Sequence, residues 1–571
     1  MFATPIHEDY HIFNASTKLS AYGYIYYASL YESESYAISV FLALLALIGI
    51  GATVVLFMMH ISAICYAHCY LYQPVHLSLS PLHTERPSCS RRVWCKLYNS
   101  CQCTGQFICD LFCRSHWKSK SLPKVSKMGE HVFATVNLTP ANSVIVQLPK
   151  PLFKEFTSPC PPVIFPGVSI IKPLSGVDIN LEVNLTSYFQ LDYPKYELLF
   201  CVADDIDPAC DIVRKLQSAY PHVISRLIVA EEEIGVNPKI NNLQAGYVVS
   251  QYDLILISDA GVWMRPDTLT DMVATLLGDP RVGMVHQVPF LTPYLSDSTS
   301  YSATHREFQT SKPALASRML PSHTSTRPSF AWIMQLVFFG CWHAKISLCA
   351  SLLGINCTTG MSCLIRKSIL SEVSGFKPFA CYLAEDFFLA KHMLDHGWSV
   401  RVSHQPAWQN SPSVSLNQFW SRLNRWSQLR LSMVLAAYLL EPFSRCLPNA
   451  LLGAFGFAYI FPDFVDPGVY FLCHMLIWFL LDYILLLYVY PPCVPLCITR
   501  LEYLIAWIFS ELTAVPNHIG AAFKRELQWR DKKFRVRWGG LAEQVCPKQS
   551  VTCEMKKDNS CSDLNDSMSV I

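Results

Sequence analysis

Four groups of side chains in this 571-residue chain have the types and spacing to do chemistry. Asp204 follows the apolar run ELLFCVA, Asp259 closes YDLILIS, Asp386 heads the string DFFLAKHML, and Arg422, Arg425 and Trp426 lie within RLNRW. A carboxylate just past the end of an apolar strand stands where α/β proteins place their ligand contacts. At Asp204, with Asp205 and Asp207 beside it, such a group can accept hydrogen bonds from a nucleobase or from ribose hydroxyls. At Asp259 it can hold Mg²⁺ or Mn²⁺, with phosphate oxygens and water completing the shell. Asp386 can take a proton from an alcohol. Arg422 and Arg425, three residues apart, share a helical face and can both meet a diphosphate, while Trp426 offers an apolar face. Lys239 in NPKINNL adds a cation, with Asn241 and Asn242 next to it.

Each of these has a plainer reading. Asp204 and Lys239 suit a solvated loop, and Asp259 suits a strand end. Glu385-Asp386 suits a helix start, where acids complement the dipole. RLNRW suits a basic helix lying on anionic lipid.

Elements able to position these groups can be read from the apolar pattern. Strands are expected at 168–171, 197–203, 223–229 and 254–258, and helices at 181–188 and 211–218. This alternation implies a mostly parallel sheet. Hydrophobic residues make up 51% of the chain and charged residues 15%, too oily for an ordinary soluble protein of this length, so part of it must lie in a bilayer. Ala37 to Tyr66 exceeds the roughly 20 residues needed to cross. Only Lys18 precedes it, whereas Arg86, Arg91, Arg92 and Lys96 come after it, which orients the N-terminus to the lumen and the next domain to the cytosol. Cys446 to Phe461, Val469 to Tyr490 and Tyr503 to Phe523 also have membrane character. Asp482 in the second of these should face protein. The third is interrupted by Glu511, Pro516, Asn517 and His518 and is succeeded by a basic run, so it is expected to be interfacial or re-entrant, returning WRDKKFRVRWGG to the catalytic side; the other reading is a third crossing with a luminal tail.

The chain therefore divides into a luminal segment 1–36, an anchor 37–72, a Cys-rich basic insertion 73–162 and a catalytic domain 163–430 with an insertion at about 291–326. A membrane region 431–523 and a basic segment with disordered tail 524–571 complete it. The 23 cysteines, scattered except for Cys89, Cys95, Cys101, Cys103, Cys109 and Cys113, suit a reducing compartment. A net charge of +2 gives no reason to expect nucleic acid as a partner.

IIKPLSGVD, LDYPKYELLFCVADDIDPA, GVNPKINNLQAGY, YDLILISDAG, CTTGMSCLIRK, AEDFFLAK and SRLNRW stand in this order between Val168 and Trp426. On these strings the segment resembles the ceramide glucosyltransferase family. The resemblance implies a GT-A, Rossmann-like α/β catalytic domain flanked by transmembrane or interfacial helices. It further implies transfer of glucose from UDP-glucose to the primary hydroxyl of ceramide with inversion, on the cytosolic face of the Golgi membrane or possibly the ER, with the lipid bilayer as partner. On this resemblance Asp386 is the general base, with Arg422, Arg425, Trp426 and His343 in the catalytic set. Lys172, Asp204, Lys239, Asn241, Asn242 and Asp259 bind the donor, and Asp259 holds the divalent cation. Two departures stand out: Ala260 and Gly261 come after Asp259 where many such enzymes have D-x-D, and Ser175 replaces a family lysine beside Lys172. Weak metal binding is therefore expected. Other readings are an inverting transferase for another sugar or lipid, a processive polysaccharide synthase, and an inactive membrane scaffold.

Overall fold

The computed structural model describes residues 9–73, 165–292, 328–410 and 415–545, except 493, 495, 525, 530 and 531, with side chains from Tyr36 onward. The chain divides into two units, Met1–Ser78 with Pro166–Ile571, and Leu79–Phe165, and all the described strands and helices belong to the first. The insertion at 73–162 beyond Gln73, nearly all of the one at 291–326, the tail from 546 and the side chain of Asn14 lie outside the described residues.

Helix α1 (Asp9–Tyr70) precedes a catalytic α/β layer. In that layer β1 (Val168–Pro173), α2 (Leu181–Phe189), β2 (Tyr196–Val202), α3 (Ala209–Ala219), β3 (Ser225–Val229), α4 (Pro238–Val249) and β4 (Leu254–Ser258) alternate. Each expected strand and helix is present within two residues at either end. β4 is buried along its whole length, as befits a central parallel strand covered on both faces. After β5 (Val262–Trp263), α5 (Thr268–Leu277), β6 (Val282–His286) and β7 (Pro289–Leu291) comes α6 (Phe330–Leu353), then β8 (Ser362–Arg366), α7 (Glu385–Asp395), β9 (Ser399–Val402) and β10 (Ala407–Gln409).

Seven strands form one sheet in the order β3-β2-β1-β4-β8-β6-β9. Only β8 runs antiparallel to its neighbours, so the sheet is mostly parallel. A small sheet, β5-β10-β7, covers one end. α4 lies close on the large sheet because Gly246 has no side chain: a Cβ there would stand 2.6 Å from Ile171 Cγ2 and 2.8 Å from Cys201 Sγ.

Downstream are α8 (Leu416–Met433), α9 (Cys446–Ile460), α10 (Pro467–Val489) and α11 (Arg500–Ala522). Tyr36–Tyr70, α6 and α10 are long and apolar enough to cross a membrane. α6 was not foreseen as membrane-like, and most of its surface is buried inside the protein rather than facing outward. α1 and α9 cross on small residues: a Cβ on Gly49 would collide with Leu452 O, and one on Gly456 with Ala46 O. Asp482 on α10 does face protein. It is sealed against His60 Nε2 of α1 at 3.0 Å and Trp507 Nε1 of α11 at 2.9 Å.

The basic run after α11 folds into strands, which were not assigned from the sequence. β11 (Leu527–Trp529), β12 (Lys532–Val536) and β13 (Ala542–Gln544) form an antiparallel sheet. KKFRV alternates, with Phe534 fully buried and Lys533 and Arg535 exposed, the period of a half-buried strand. Ala542 N–H donates to Cys381 O at 3.0 Å and Gly539 N–H to Ser432 O at 2.9 Å, so this sheet rests on the catalytic domain.

Candidate active site

The loops after β1, β2 and β4 leave the same edge of the sheet. Asp207 ties the first two together, its carboxylate accepting from Gly176 N–H at 2.9 Å and from Ala209 N–H at 2.9 Å. Asp204 is exposed on the second loop, where its Oδ1 accepts from Ile206 N–H at 3.1 Å. Asp259 starts the turn after β4, held by its own N–H to Met361 O at 2.9 Å, with its carboxylate about two-fifths exposed. Beneath it, Lys172 is fully buried. Its ammonium donates to Asp259 O at 3.0 Å and sits 3.6 Å from the centre of the Tyr188 ring. Burial holds the Lys172 amine well below the usual lysine range. It supports the strand end from below and has no open face toward a donor in this conformation.

Lys239 joins three acceptors. Its Nζ lies 2.9 Å from Asp259 Oδ1, 2.9 Å from Glu385 Oε1 and 2.9 Å from Gly360 O. Burial works against its charge, but the two carboxylates prevail and raise its pKa well above the ordinary value. The helix it begins is pre-set by its sequence, with Asn237 as N-cap accepting from Lys239 N–H at 3.0 Å and Pro238 at the first helical position. Asn237 also donates to Glu385 Oε2 at 3.2 Å. Asn241 holds the preceding loop, accepting from Ile234 and Gly235 N–H, both at 3.2 Å. Asn242 donates to Leu174 O and Cys201 O at 3.2 Å, which fixes the ends of β1 and β2 from within. Both asparagines shape the site's walls.

Asp386 lies in the first turn of α7, half-buried. Its Oδ2 accepts from Gly360 N–H at 2.5 Å and its Oδ1 from Phe387 N–H at 2.9 Å. Gly360 allows this approach because a Cβ there would stand 2.8 Å from Asp386 Cβ. Burial first, and then the neighbouring Glu385 charge, push the Asp386 carboxyl up to about 6, against the opposing pull of Lys239 and the two N–H groups. A carboxylate at that value is a base matched to near-neutral pH.

Arg422 on α8 donates from Nη1 to Gln409 Oε1 at 2.8 Å, and its guanidinium carbon is 4.8 Å from the Trp426 ring and 5.4 Å from the Phe339 ring. Burial and the charge of Arg425 lower its pKa to about 10, and Asp259 pulls it back up, so all three share one electrostatic neighbourhood. Arg425 turns toward Trp529 of β11, 5.8 Å away. His343 ends a π-helical turn, Phe338–His343, inside α6. Such turns are frequent at functional sites. Its ring lies 6.2 Å from that of Trp426, and its Nδ1 is 3.3 Å from Ser347 Oγ.

The structure thus gathers Asp259, Lys239 and Asp386 into one bonded cluster and sets Arg422, Trp426 and His343 in a second, aromatic one. Glu385, Gly360, Gln409 and Trp529 belong with them and were not singled out from the sequence. Glu385 adjoins the expected base, and Gly360 stands in CTTGMSC. Gln409 carried no signal of its own. As for a divalent cation, no cluster of three His, Cys, Asp or Glu side chains occurs among the described residues. Asp259 alone, already paired with Lys239, fits a cation only if diphosphate oxygens supply most of the shell.

The profile of glycosyl transferase family 21 matches residues 132–296 and 303–542, spanning the bonded cluster, RLNRW and the first two strands of the small C-terminal sheet. The chain belongs to glycosyl transferase family 21. Its relatives include ceramide glucosyltransferase 3 of Caenorhabditis elegans, 34% identical over 66% of this chain and 74% of that protein. The ceramide glucosyltransferase of Komagataella phaffii is 28% identical over 69% of this chain and 86% of that one. Among solved structures, a mannosyltransferase from Pyrobaculum calidifontis in complex with GDP-Man and Mn²⁺ is 14% identical, covers 62% of this chain and 88% of its own, and has a TM-score of 0.32.

Proposed function

We propose that this family 21 chain transfers glucose from UDP-glucose to the primary hydroxyl of ceramide, with inversion. The observation that carries the reading is the bridge from Asp259 through Lys239 and Gly360 to Asp386: a donor-side carboxylate and a base of raised pKa held in fixed relation. UDP lies along the exposed strand ends, with Asp204 toward the nucleoside and Asp259 and Lys239 toward the diphosphate. Mg²⁺ or Mn²⁺ bound at Asp259 would neutralise diphosphate charge. Arg422 and Arg425 face the departing UDP with charge-assisted hydrogen bonds.

Both Asp386 oxygens already accept one N–H each, and each keeps a further lone pair for the acceptor's proton. The acceptor oxygen bonds to the anomeric carbon as the bond to UDP breaks, the proton passes to Asp386, and one in-line displacement converts an α-linked donor into a β-glucoside.

The site stands at the cytosolic face of a Golgi or ER membrane. The C-terminal ends of α1 and α10 meet at the catalytic layer, where Tyr72 N–H donates to His404 O at 2.7 Å and Tyr72 OH to Val489 O at 2.9 Å. The sheet β11–β13 lies on that same layer. An N-terminal tag in sealed microsomes should then resist added protease while a C-terminal tag is digested; a protected catalytic domain would reject the topology. The activity itself is tested with membranes containing the protein, ceramide, and labelled UDP-glucose or UDP-galactose. A β-linked glucosylceramide is expected, and product from UDP-galactose alone, or none, would overturn the assignment.

A further inference from the structure

α6, α8 and α11, together with the turn Glu441–Ser444, enclose a second pocket away from the strand ends. One wall is apolar, formed by Met334, Phe338 and Trp420. The other carries neutral polar groups, Asn424, Thr513, Asn517 and His518. His518 is 7% exposed, and neither of its ring nitrogens has a hydrogen-bond partner. Glu441 Oε2 stands 3.7 Å from Nδ1, beyond hydrogen-bond reach. A buried imidazole with both nitrogens unspent is costly unless something binds there.

Charge decides what that is. Arg430 spends its guanidinium on Glu441 in a two-pronged pair at 2.8 and 2.9 Å. Arg445 faces Glu511 at 4.0 Å, and Glu511 also accepts from Cys446 N–H at 2.8 Å. The cations of the pocket are matched by carboxylates, so no free charge is left for a phosphate headgroup. Thr513 spends its hydroxyl proton on Phe509 O at 2.7 Å, and the unspent groups, the two His518 nitrogens above all, are neutral donors and acceptors, which suit an amide and hydroxyls. α11 turns Leu504, Ile508 and Leu512 outward, an apolar face suited to acyl chains. Phe338 begins the π-helical turn that ends at His343, and its ring is 6.4 Å from that of Trp426, so the pocket shares a wall with the catalytic cluster.

We infer that this pocket receives the neutral amide-and-hydroxyl headgroup of the lipid acceptor, with His518 a specificity-determining residue. This rests on the reading of ceramide as acceptor, and it assigns that lipid a place distinct from the donor site.

The test uses the full-length protein in lipid nanodiscs, with KM measured separately for ceramide and UDP-glucose and with a diazirine-bearing ceramide for photocrosslinking. His518→Phe removes both nitrogens. It should raise KM for ceramide about tenfold and leave KM for UDP-glucose unchanged, the scale of a lost buried hydrogen bond. His518→Gln keeps one donor and one acceptor and should stay near wild type. Photolabel is expected on α8 or α11 and should be displaced by unlabelled ceramide, not by phosphatidylcholine. Equal impairment of both variants would assign His518 to packing on Tyr438, whose ring lies 4.0 Å away, and would overturn the inference. So would an unchanged ceramide KM in His518→Phe, or photolabel confined to other helices. Wild type that takes up the photolabel in this pocket and glucosylates no ceramide would sink the proposed activity and leave the pocket standing.

Discussion

Two lysines sit among acids in this molecule, one at the catalytic edge and one in the helical layer, and their surroundings differ in a way that separates chemistry from scaffolding. Lys239 bonds Asp259 and Glu385, and Asp259 remains two-fifths exposed, so its partners can be exchanged for a ligand. Lys345 of α6 is 1% exposed. Its Nζ lies 3.3 Å from His60 Nε2 and 4.2 Å from the centre of the Trp478 ring, and His60 in turn is bonded to Asp482. His60, Lys345 and Asp482 of that second cluster are all buried. The cluster joins α1, α6, α10 and α11, whose remaining contacts are mostly apolar. Buried charge within a membrane layer normally marks a pathway or a binding site, but here it serves as an internal fastening, and exposure rather than charge tells the two clusters apart.

Asp386→Asn tests the catalytic half most severely. Size is retained and the proton acceptor is lost, so kcat should fall about 10²-fold or more while UDP-glucose binding survives. A folded variant with normal turnover would place the base elsewhere. Lys239→Met should cost about tenfold or more in kcat/KM, because it leaves Asp259 and Glu385 without their shared counter-ion. It carries a second signature in the pH profile. Asp386 works deprotonated, so in the wild type turnover should fall as pH drops through about 6. Lys239 holds that value down, and its removal should move the acid limb to higher pH; a limb that stays put or moves lower would break the link between the two residues.

Gly360→Ala should be milder, lowering kcat about tenfold by forcing Asp386 aside, with donor affinity near normal. On the scaffolding side, Asp482→Asn should hardly touch turnover per folded molecule and should lower the unfolding midpoint in detergent, by about 3 kcal/mol of stability, the scale of a broken buried pair. Lost turnover with unchanged stability would mean that the sealed cluster takes part in the reaction, and the contrast would fall.

The central sheet was legible because β1, β2 and β4 are continuous apolar runs closed by acids or turn residues; Asp259 could be picked out by standing at the end of a strand, whereas Asp386 stands at a helix start, which by itself suits a dipole-complementing acid, and was singled out by the AEDFFLAK string that carries the resemblance. α6 was overlooked for a physical reason: Trp342, His343 and Lys345 interrupt its apolar surface, and they do so because the helix is packed within the protein, where polar groups find partners. Lys172 illustrates the opposite limit. The resemblance places it among the donor-binding residues, and only the packing of Tyr188 against it reveals an inward-facing amine. The strands after α11 are hard to read from sequence because only Phe534 and Val536 carry the alternation in KKFRVRW and basic residues fill the positions between them.

Tyr70 and Tyr72 at the end of α1 grip the rim of the catalytic sheet, through Tyr70 OH to Val402 O at 2.7 Å and the Tyr72 contacts to His404 and Val489. The consequence is one of altitude. A domain clamped to its anchor at that rim cannot slide along it, so on the proposed reading the base Asp386 would stand at a set height over the bilayer, and an acceptor would be selected partly by how far its hydroxyl must rise to meet it. Lengthening the join after Tyr72 would leave that height alone, whereas loosening the two tyrosines would release it.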